Sequence, residues 1–240
     1  MRSLPLALAA LLVVSAADAS DPIALFDGQS LDGWSGDATF WSVEDGAIVA
    51  ESTPETPCTE NTFLLFEGVD GVGPELGDFE LTLRFRIGGH ASANSGIQYR
   101  SGVRDDGHVF GYQADLDLAG KYRGALYDEL GRGMLCPPGE HRTVPPGVSD
   151  GGPQSEDEPR PKRVAMLEQR HMFDPDGWNT YRIVADGSTL THFINGTKTA
   201  HCEDDDPEAR EMAGRLALQL HSGPPMRVAF KDIKLMPRER

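Results

Sequence analysis

Residues 79–87 read FELTLRFRI, and this stretch decides the fold. Its apolar and polar residues alternate without a break from Phe79 to Ile87. Successive side chains of a β-strand point to opposite faces, so a period of two places every apolar side chain of the stretch on one face. One face then packs against a core while the other meets solvent, which is typical of an antiparallel sheet.

The same alternation recurs along the chain, in residues 96–100, 112–118, 181–185, 190–194 and 215–221. Asn195 and Gly196 are placed to form a type I′ turn between two of these strands. Between residues 226 and 235 the apolar positions change parity, which predicts a bulge in the last strand. Short strands at this spacing predict an all-β fold, a sandwich made of two antiparallel sheets.

The segment from residue 131 to residue 176 breaks the alternation and is rich in proline and glycine. Proline removes the backbone donor that a central strand needs. We therefore expect one long loop insertion over residues 131–176. Within it we expect residues 144–161 to be disordered and only residues 163–171 to form a short helix.

The 240 residues, 39% of them hydrophobic, suit a single domain with a substantial core. A content of 27 glycines and 17 prolines is too rich in turn formers for a helical bundle. The net charge of −16 repels phosphate backbones and anionic membrane surfaces, which argues against nucleic acid as a partner. Cys58, Cys136 and Cys202 permit one disulfide, and the sequence does not choose among the pairings.

The N-terminus has the pattern of a secretion signal. Arg2 precedes an apolar run, and the small residues Ala17 and Ala19 fit a cleavage site. The run is shorter than the roughly 20 residues that span a bilayer. We expect residues 1–19 to be a signal peptide, residues 20–240 to form the mature domain, and the protein to be exported to the periplasm or out of the cell, with no membrane span after cleavage.

Three of the predicted strands carry polar side chains on one face, because residues two apart point the same way. These side chains are Gln98 with Arg100, Gln113 with Asp115 and Asp117, and Gln219 with His221. If the three faces belong to one sheet, they suit a ligand with many hydroxyl groups, such as a sugar. The alternative is that they are ordinary solvent faces of antiparallel strands.

A further polar group lies at the end of a short strand, where a loop can deliver side chains to a cleft. It consists of Tyr127, Asp128, Glu129 and Arg132. A solvated acidic turn is the alternative interpretation.

Two sets of acidic residues are candidates for a divalent cation. Asp115 and Asp117, with His221 nearby, offer oxygen and imidazole ligands, although no metal-loop spacing supports such a site. The aspartates at 204–206 are expected to form a solvated turn, with a calcium site as the alternative. No motif of the H-E-x-x-H type occurs in the sequence, which argues against common zinc proteases.

A series of short motifs extends over about residues 24–235 and resembles the 3-keto-disaccharide hydrolase family. The motifs read FDGQSLDGW at 26–34, WSVEDGAI at 41–48, DFEL at 78–81, NSGIQYR at 94–100, GYQAD at 111–115, LYDE at 126–129, GWNT at 177–180, ING at 194–196, LQLHSG at 218–223 and FKDI at 230–233. The resemblance implies a concanavalin A-like, lectin-like jelly roll from an exported bacterial protein. It also implies hydrolysis or lyase cleavage of glycosides that carry a ketone at carbon 3.

In that chemistry the ketone acidifies the hydrogen on carbon 2, a base removes it, and the group on carbon 1 leaves. Arg100, or a divalent cation near Asp115, would stabilise the enolate, and His221 or Asp115 would act as the base. The ligand would be an oligosaccharide or a keto-glycoside. The catalytic candidates are Arg100, Asp115 and His221, and the substrate-binding candidates are Asn94, Gln98, Gln113, Tyr127, Asp128, Glu129, Arg132 and Gln219.

The sequence departs from the family at two places. Many relatives carry Glu-x-Gln where this chain reads Gln113-Ala114-Asp115, so any acid chemistry at that point falls to Asp115. The relatives also reach the Gly-Trp-Asn motif through a shorter loop. Two alternatives to an enzyme therefore stand, a non-catalytic carbohydrate-binding module and an interaction domain of an exported complex.

Overall fold

The computed structural model describes residues 21–148 and 173–238. Within these ranges the named elements are all strands, as the alternation predicts. The described residues contain no helix of the length and apolarity needed to cross a bilayer. The strands are β1 (Ile23–Ala24), β2 (Trp34–Ser35), β3 (Trp41–Glu44), β4 (Ala47–Ser52), β5 (Thr62–Phe66), β6 (Glu75–Leu76), β7 (Phe79–Gly89), β8 (Asn94–Val103), β9 (Val109–Asp117), β10 (Leu126–Glu129), β11 (Gly133–Cys136), β12 (Glu140–Val144), β13 (Asn179–Asp186), β14 (Thr189–Ile194), β15 (Thr197–Asp204), β16 (Gly214–Leu220) and β17 (Met226–Pro237).

The strands form two sheets. Sheet 1 has nine strands in the order β12-β15-β14-β13-β7-β17-β4-β3, with β1 paired to β17. Sheet 2 has eight strands in the order β11-β10-β9-β8-β16-β5-β2, with β6 paired to β16. The predicted all-β sandwich is confirmed. One edge of sheet 1 differs from the expectation of antiparallel pairing, because β12 runs parallel to β15.

The core lies between the sheets and is built on the alternation of β7. The apolar side chains of that strand, from Phe79 to Ile87, are all 2% exposed or less. Phe79 meets Tyr99 of sheet 2 edge to face, with ring centroids 6.0 Å apart. Burying each side chain of this size contributes about 1.5–3 kcal/mol, so the alternating strand supplies much of the force that joins the sheets.

Two predictions about local geometry are confirmed. Asn195 and Gly196 join β14 to β15 with φ of 48° and 82°, the positive values that a type I′ turn requires. The register of β17 against β7 shifts between Lys231 and Lys234, and Asp232 has φ of 53°. The change of parity in the sequence therefore marks a bulge.

The prediction of one continuous loop over residues 131–176 is wrong for its first part, because β11 and β12 lie inside it. Pro137 and Pro138 fall between these two strands, where no sheet hydrogen bond is lost. Both strands also lie at sheet edges, where proline nearby is tolerated. The expected helix at 163–171, most of the stretch 144–161 and the predicted signal peptide lie outside the described residues.

The cysteines are all free and buried, so none of the pairings open to the sequence is formed. Burial raises the pKa of the Cys136 thiol to about 11, which keeps it protonated at neutral pH. A buried thiol of this kind packs as a small apolar side chain.

Candidate active site

Sheet 2 carries a cavity of about 330 Å³ on the face turned away from the core. In β9, Ala114 and Leu116 point into the core, so the alternating Gln113 and Asp115 point outwards. The volume is at the lower end of the range of roughly 300–1,000 Å³ for small-molecule sites. We call it the polar cavity, and it is lined by Asn94, Gln113, Asp115, Tyr122, Tyr127, Glu129 and His221.

The order of strands in sheet 2 explains why these residues meet. β10, β9, β8 and β16 are successive neighbours. Across them, Tyr127 lies opposite Gln113, Asp115 opposite Gly96, and Gly96 opposite Gln219. The structure thus brings the three polar strand faces together in one sheet, with β10 added at one side.

A chain of amide hydrogen bonds leads to Asp115. Ser101 Oγ donates to Gln98 Oε1 (3.1 Å), Gln98 Nε2 donates to Gln113 Oε1 (2.7 Å), and Gln113 Nε2 donates to Asp115 Oδ1 (2.7 Å). The side chain of Gln113 lies across Gly96, and a Cβ at that position would collide with it. Glycine at 96 therefore allows Gln113 to orient the carboxyl group of Asp115.

Asp115 is 5% exposed although it lines the cavity. Burial raises its pKa to about 8, the hydrogen bond from Gln113 opposes this rise, and the charges of Asp117 and Glu129 add to it. Because this pKa lies above neutrality, the carboxyl group is mostly protonated at pH 7 and can donate a proton or a hydrogen bond. A carboxyl group shifted this far inside a cavity is a candidate for acid catalysis.

His221 supplies the complementary group. Its Nδ1 lies 2.6 Å from the carbonyl oxygen of Ser222. A carbonyl oxygen only accepts hydrogen bonds, so this contact assigns the ring proton to Nδ1 and leaves a lone pair on Nε2 in the neutral ring. His221 is partly exposed at the cavity. It is therefore the candidate base.

Tyr122 lines the cavity and was missed by the sequence reasoning. It lies in the loop after β9, which is shaped by Asp117. The Asp117 carboxylate accepts the backbone N–H groups of Lys121 (2.8 Å), Tyr122 (3.2 Å) and Arg123 (2.8 Å). The available signal was an aspartate just ahead of a glycine-containing turn, a pattern typical of loops held by a side-chain acceptor.

The same contacts bear on the cation hypothesis for Asp115, Asp117 and His221. The Asp117 carboxylate is occupied by backbone donors. These three side chains are also not among those of the described residues whose ligand atoms converge within 4.8 Å of one another. This set of residues therefore does not fit a divalent cation.

Arg100 does not reach the polar cavity, contrary to the expectation that it shares a face with Gln98. Its φ is 48°, and the register of β8 against β9 shifts between Gln98 and Gly102, so a bulge turns the side chain to the other side. There the guanidinium is 1% exposed and donates to Asp78 Oδ1 (2.6 Å) and to the carbonyl oxygen of Gly187 (2.7 Å). Arg100 is a buried structural residue.

Asp128 and Arg132 were also expected at the site and lie elsewhere. Arg132 donates to Asp128 Oδ2 (2.8 Å) and to both carboxylate oxygens of Asp204 (2.9 and 2.6 Å), and Tyr112 donates to Asp204 Oδ2 (2.5 Å). Asp204 is fully buried on β15, so this ion cluster joins sheet 2 to sheet 1. We call these four residues the buried ion cluster.

The aspartates at 204–206 are accordingly not a solvated turn. Asp204 belongs to the buried ion cluster, and Asp206, 4% exposed, accepts the backbone N–H of Gly147 (2.9 Å). Only Asp205 is exposed. Their acidic composition suggested that all three face solvent. Instead, Arg132 pairs with Asp204, and a backbone N–H group donates to Asp206.

Gln98 and Gln219 are fully buried behind the cavity wall. Gln98 belongs to the amide chain described above. Neither the Nε2 nor the Oε1 of Gln219 has a hydrogen-bond partner in the described part of the chain. An unpaired amide costs free energy, so Gln219 is a polar group that packing alone does not explain.

Solved structures share this fold. Two candidate glycosyl hydrolases from Parabacteroides distasonis are each 18% identical to this chain; one superposes with a TM-score of 0.56 over 91% of this chain and 100% of its own, the other with 0.55 over 90% and 93%. The carbohydrate-binding module CBM66 from Bacillus subtilis is 12% identical and superposes with a TM-score of 0.51 over 85% of this chain and 95% of its own. The chain is a lectin-like jelly roll.

A search of curated proteins found no match to the sequence. The model of the 3-keto-alpha-glucoside-1,2-lyase-like domain matches residues 21–236, which is nearly the whole of the described structure. The chain therefore belongs to the 3-keto-alpha-glucoside-1,2-lyase-like family.

Proposed function

We propose that this protein cleaves 3-keto-glycosides in the polar cavity by removing the hydrogen on carbon 2. One observation carries the proposal: Asp115, a buried carboxyl group whose pKa is raised to about 8, lines the same cavity as His221, whose Nδ1 is bound to a carbonyl oxygen and whose Nε2 can accept a proton. An acid and a base in one cavity are the pair that this elimination needs.

In the proposed reaction His221 Nε2 takes the proton from carbon 2, and the electron pair of that bond moves onto the oxygen of the ketone. Asp115 donates a hydrogen bond to this oxygen as its negative charge develops. The enolate then expels the group on carbon 1, whose oxygen takes a proton from the imidazolium. The products are an enone sugar and a free alcohol, and addition of water to the enone completes a net hydrolysis.

The other lining residues suit a sugar. Asn94 and Gln113 offer amides, and Glu129 accepts hydrogen bonds from Asn61 Nδ2 at 3.4 Å. Tyr122 and Tyr127 add aromatic surface together with hydroxyl groups, which is the combination that pyranose rings bind. The small volume favours a substrate with one sugar ring inside the cavity.

A non-catalytic carbohydrate-binding module is the second candidate. It is favoured by the position of Arg100, which is withdrawn into the core. Of the described residues that line the polar cavity, none is a lysine or an arginine. Enolate stabilisation would therefore rest on neutral donors, whereas sugar binding needs no positive charge.

The test is aglycone release from 3-keto-glucosides and from the matching unoxidised glucosides, using the mature protein, residues 20–240. We expect release from the keto sugars alone. His221→Gln and Asp115→Asn should each lower the rate by roughly 10²–10⁴-fold, the usual contribution of general acid–base groups. The matched controls are His90→Gln and Asp205→Asn, which change exposed residues outside the cavity lining and should retain full activity.

Saturable binding of glycans without release from any keto sugar would overturn the proposal in favour of the binding module. Equal loss of activity in the variants and in their controls would show that the site is assigned wrongly. Circular dichroism of each variant separates loss of chemistry from loss of fold.

We also propose that the protein is exported, on the basis of the apolar run and the small residues at 17 and 19. Mass spectrometry of the protein purified from its native cells tests this. A mature N-terminus at residue 20 supports export, and an intact residue 1 in the cytoplasmic fraction contradicts it.

A further inference from the structure

A cluster of metal-binding side chains lies on the outer face of sheet 1. In the parallel pair of β12 and β15, His141 lies directly opposite His201. Glu203 follows two residues after His201 and therefore points to the same side of the strand. On β15 the alternating Ala200 and Cys202 face the core, so these three side chains face outwards.

The three side chains are close enough to share one ion. One ligand atom from each, an imidazole nitrogen or a carboxylate oxygen, lies within 4.8 Å of the other two. Zinc binds histidine nitrogen and carboxylate oxygen at roughly 2.0–2.2 Å, so two ligands of one ion lie at most about 4.4 Å apart. Only a small closing movement of the side chains is needed.

Thr191, on the neighbouring strand β14, fixes one ligand. Its Oγ1 lies 2.8 Å from Nδ1 of His201. A hydrogen bond to Nδ1 presents Nε2 to a metal, which is the outer contact that most ligating histidines have.

We propose that His141, His201 and Glu203 bind a divalent transition-metal ion of the Zn²⁺ type. Two imidazoles and one carboxylate form a donor set that suits zinc and leaves a coordination position for water. The site lies on sheet 1, whereas the polar cavity lies on the outer face of sheet 2, so it is separate from the proposed chemistry. The bound ion links the side chains of β12 and β15 and fastens the edge strand that precedes residues 149–172.

The experiment uses the untagged protein after removal of metals with a chelator. Isothermal titration with ZnCl₂ should show one site, and Zn²⁺ should raise the midpoint of thermal unfolding, because an ion that binds only the folded state stabilises it. MgCl₂ should do neither, since Mg²⁺ prefers oxygen ligands. Titration with CoCl₂ should give the visible absorption bands of Co²⁺ bound to nitrogen ligands.

His141→Ala changes an exposed side chain and should retain the fold while abolishing both the Zn²⁺ signal and the rise in midpoint. Thr191→Val removes only the outer hydrogen bond and should weaken binding by roughly 10-fold or more. His90→Ala, an exposed histidine away from the site, is the control and should bind as the parent protein does. Zinc binding that His141→Ala leaves unchanged, or that His90→Ala weakens equally, would overturn the proposal, as would the absence of any binding.

Discussion

The polar cavity and the buried ion cluster share strands β9 and β10 and are built from similar residues, yet they differ in one respect. In the buried ion cluster every charge has a partner, since Arg132 meets the carboxylates of Asp128 and Asp204. In the polar cavity the side-chain partner of Asp115 among the described residues is the neutral amide of Gln113. The charged groups of the buried ion cluster pair with one another, whereas the polar cavity leaves donors and acceptors facing an open space.

Polarity alone therefore does not identify a functional residue. Tyr112 and Gln113 are adjacent on β9, but Tyr112 donates to Asp204 inside the sandwich and Gln113 lines the cavity. Polar groups with partners inside the protein are explained by the fold, whereas a buried group without one needs a further explanation, such as a ligand or a reaction. Among the described residues, Gln219 belongs to the second class.

The largest loss of stability is expected when the buried ion cluster is broken. Arg132→Met leaves two buried carboxylates without their partner and should lower the free energy of unfolding by about 3–5 kcal/mol. Urea denaturation followed by fluorescence measures this loss. Arg227→Met is the control because Arg227 pairs with Glu44 and Glu51 at the surface, where such a pair contributes about 0–1 kcal/mol. Similar losses in the two variants would contradict the distinction.

The next prediction concerns how the free energy of unfolding depends on pH. The pKa of Asp115 is raised from 3.8 to about 8, so the folded state retains a proton that the unfolded chain has lost. Its contribution to stability is fully present below pH about 4 and is lost progressively as the pH rises towards about 8. Asp115→Asn does not titrate and retains an oxygen that can accept from Gln113.

The free energy of unfolding of Asp115→Asn should therefore rise relative to the parent protein between these pH values and then level off. Urea denaturation at a series of pH values measures the difference. A difference that does not change with pH would show that Asp115 is ionised in the folded protein. The activity of the parent protein should also fall above pH about 8, where the acid loses its proton.

Smaller changes in stability and in substrate binding are expected when Gln219 is replaced. Gln219→Met retains the volume of the side chain and removes an unpaired amide, whose burial costs about 1–3 kcal/mol. We expect the variant to be at least as stable as the parent protein but to bind the keto sugar less well, measured as a rise in KM. A variant that is less stable and fully active would show that the amide serves the fold.

Much of the fold could be predicted because it depends on local patterns. The alternation of β7, the Asn195-Gly196 turn and the parity change near Asp232 each act within a few residues, and each is confirmed. The strands β11 and β12 could not be predicted in this way. They are short and lie beside prolines. β11 forms a short hairpin with β10, and β12 pairs with β15, which is distant in sequence.

The site was predicted less completely, for a physical reason. Asp115, Gln113 and His221 follow the parity of regular strands and lie where parity places them. Arg100 does not, because a bulge with positive φ reverses its side chain within two residues of Gln98. Asp128 and Arg132 look like site residues in sequence, but their partner Asp204 lies far along the chain and could not be inferred from spacing.

The most direct test of the account is the fate of the hydrogen on carbon 2. A 3-keto-glucoside labelled with deuterium at carbon 2 is incubated with residues 20–240 of the protein in ordinary water, and both the rate of aglycone release and the label in the sugar product are measured. The account predicts a slower release than from the unlabelled sugar and a product without deuterium at carbon 2. Release at an unchanged rate, with the deuterium retained in the product, would contradict proton removal by His221 and the chemistry proposed for the polar cavity.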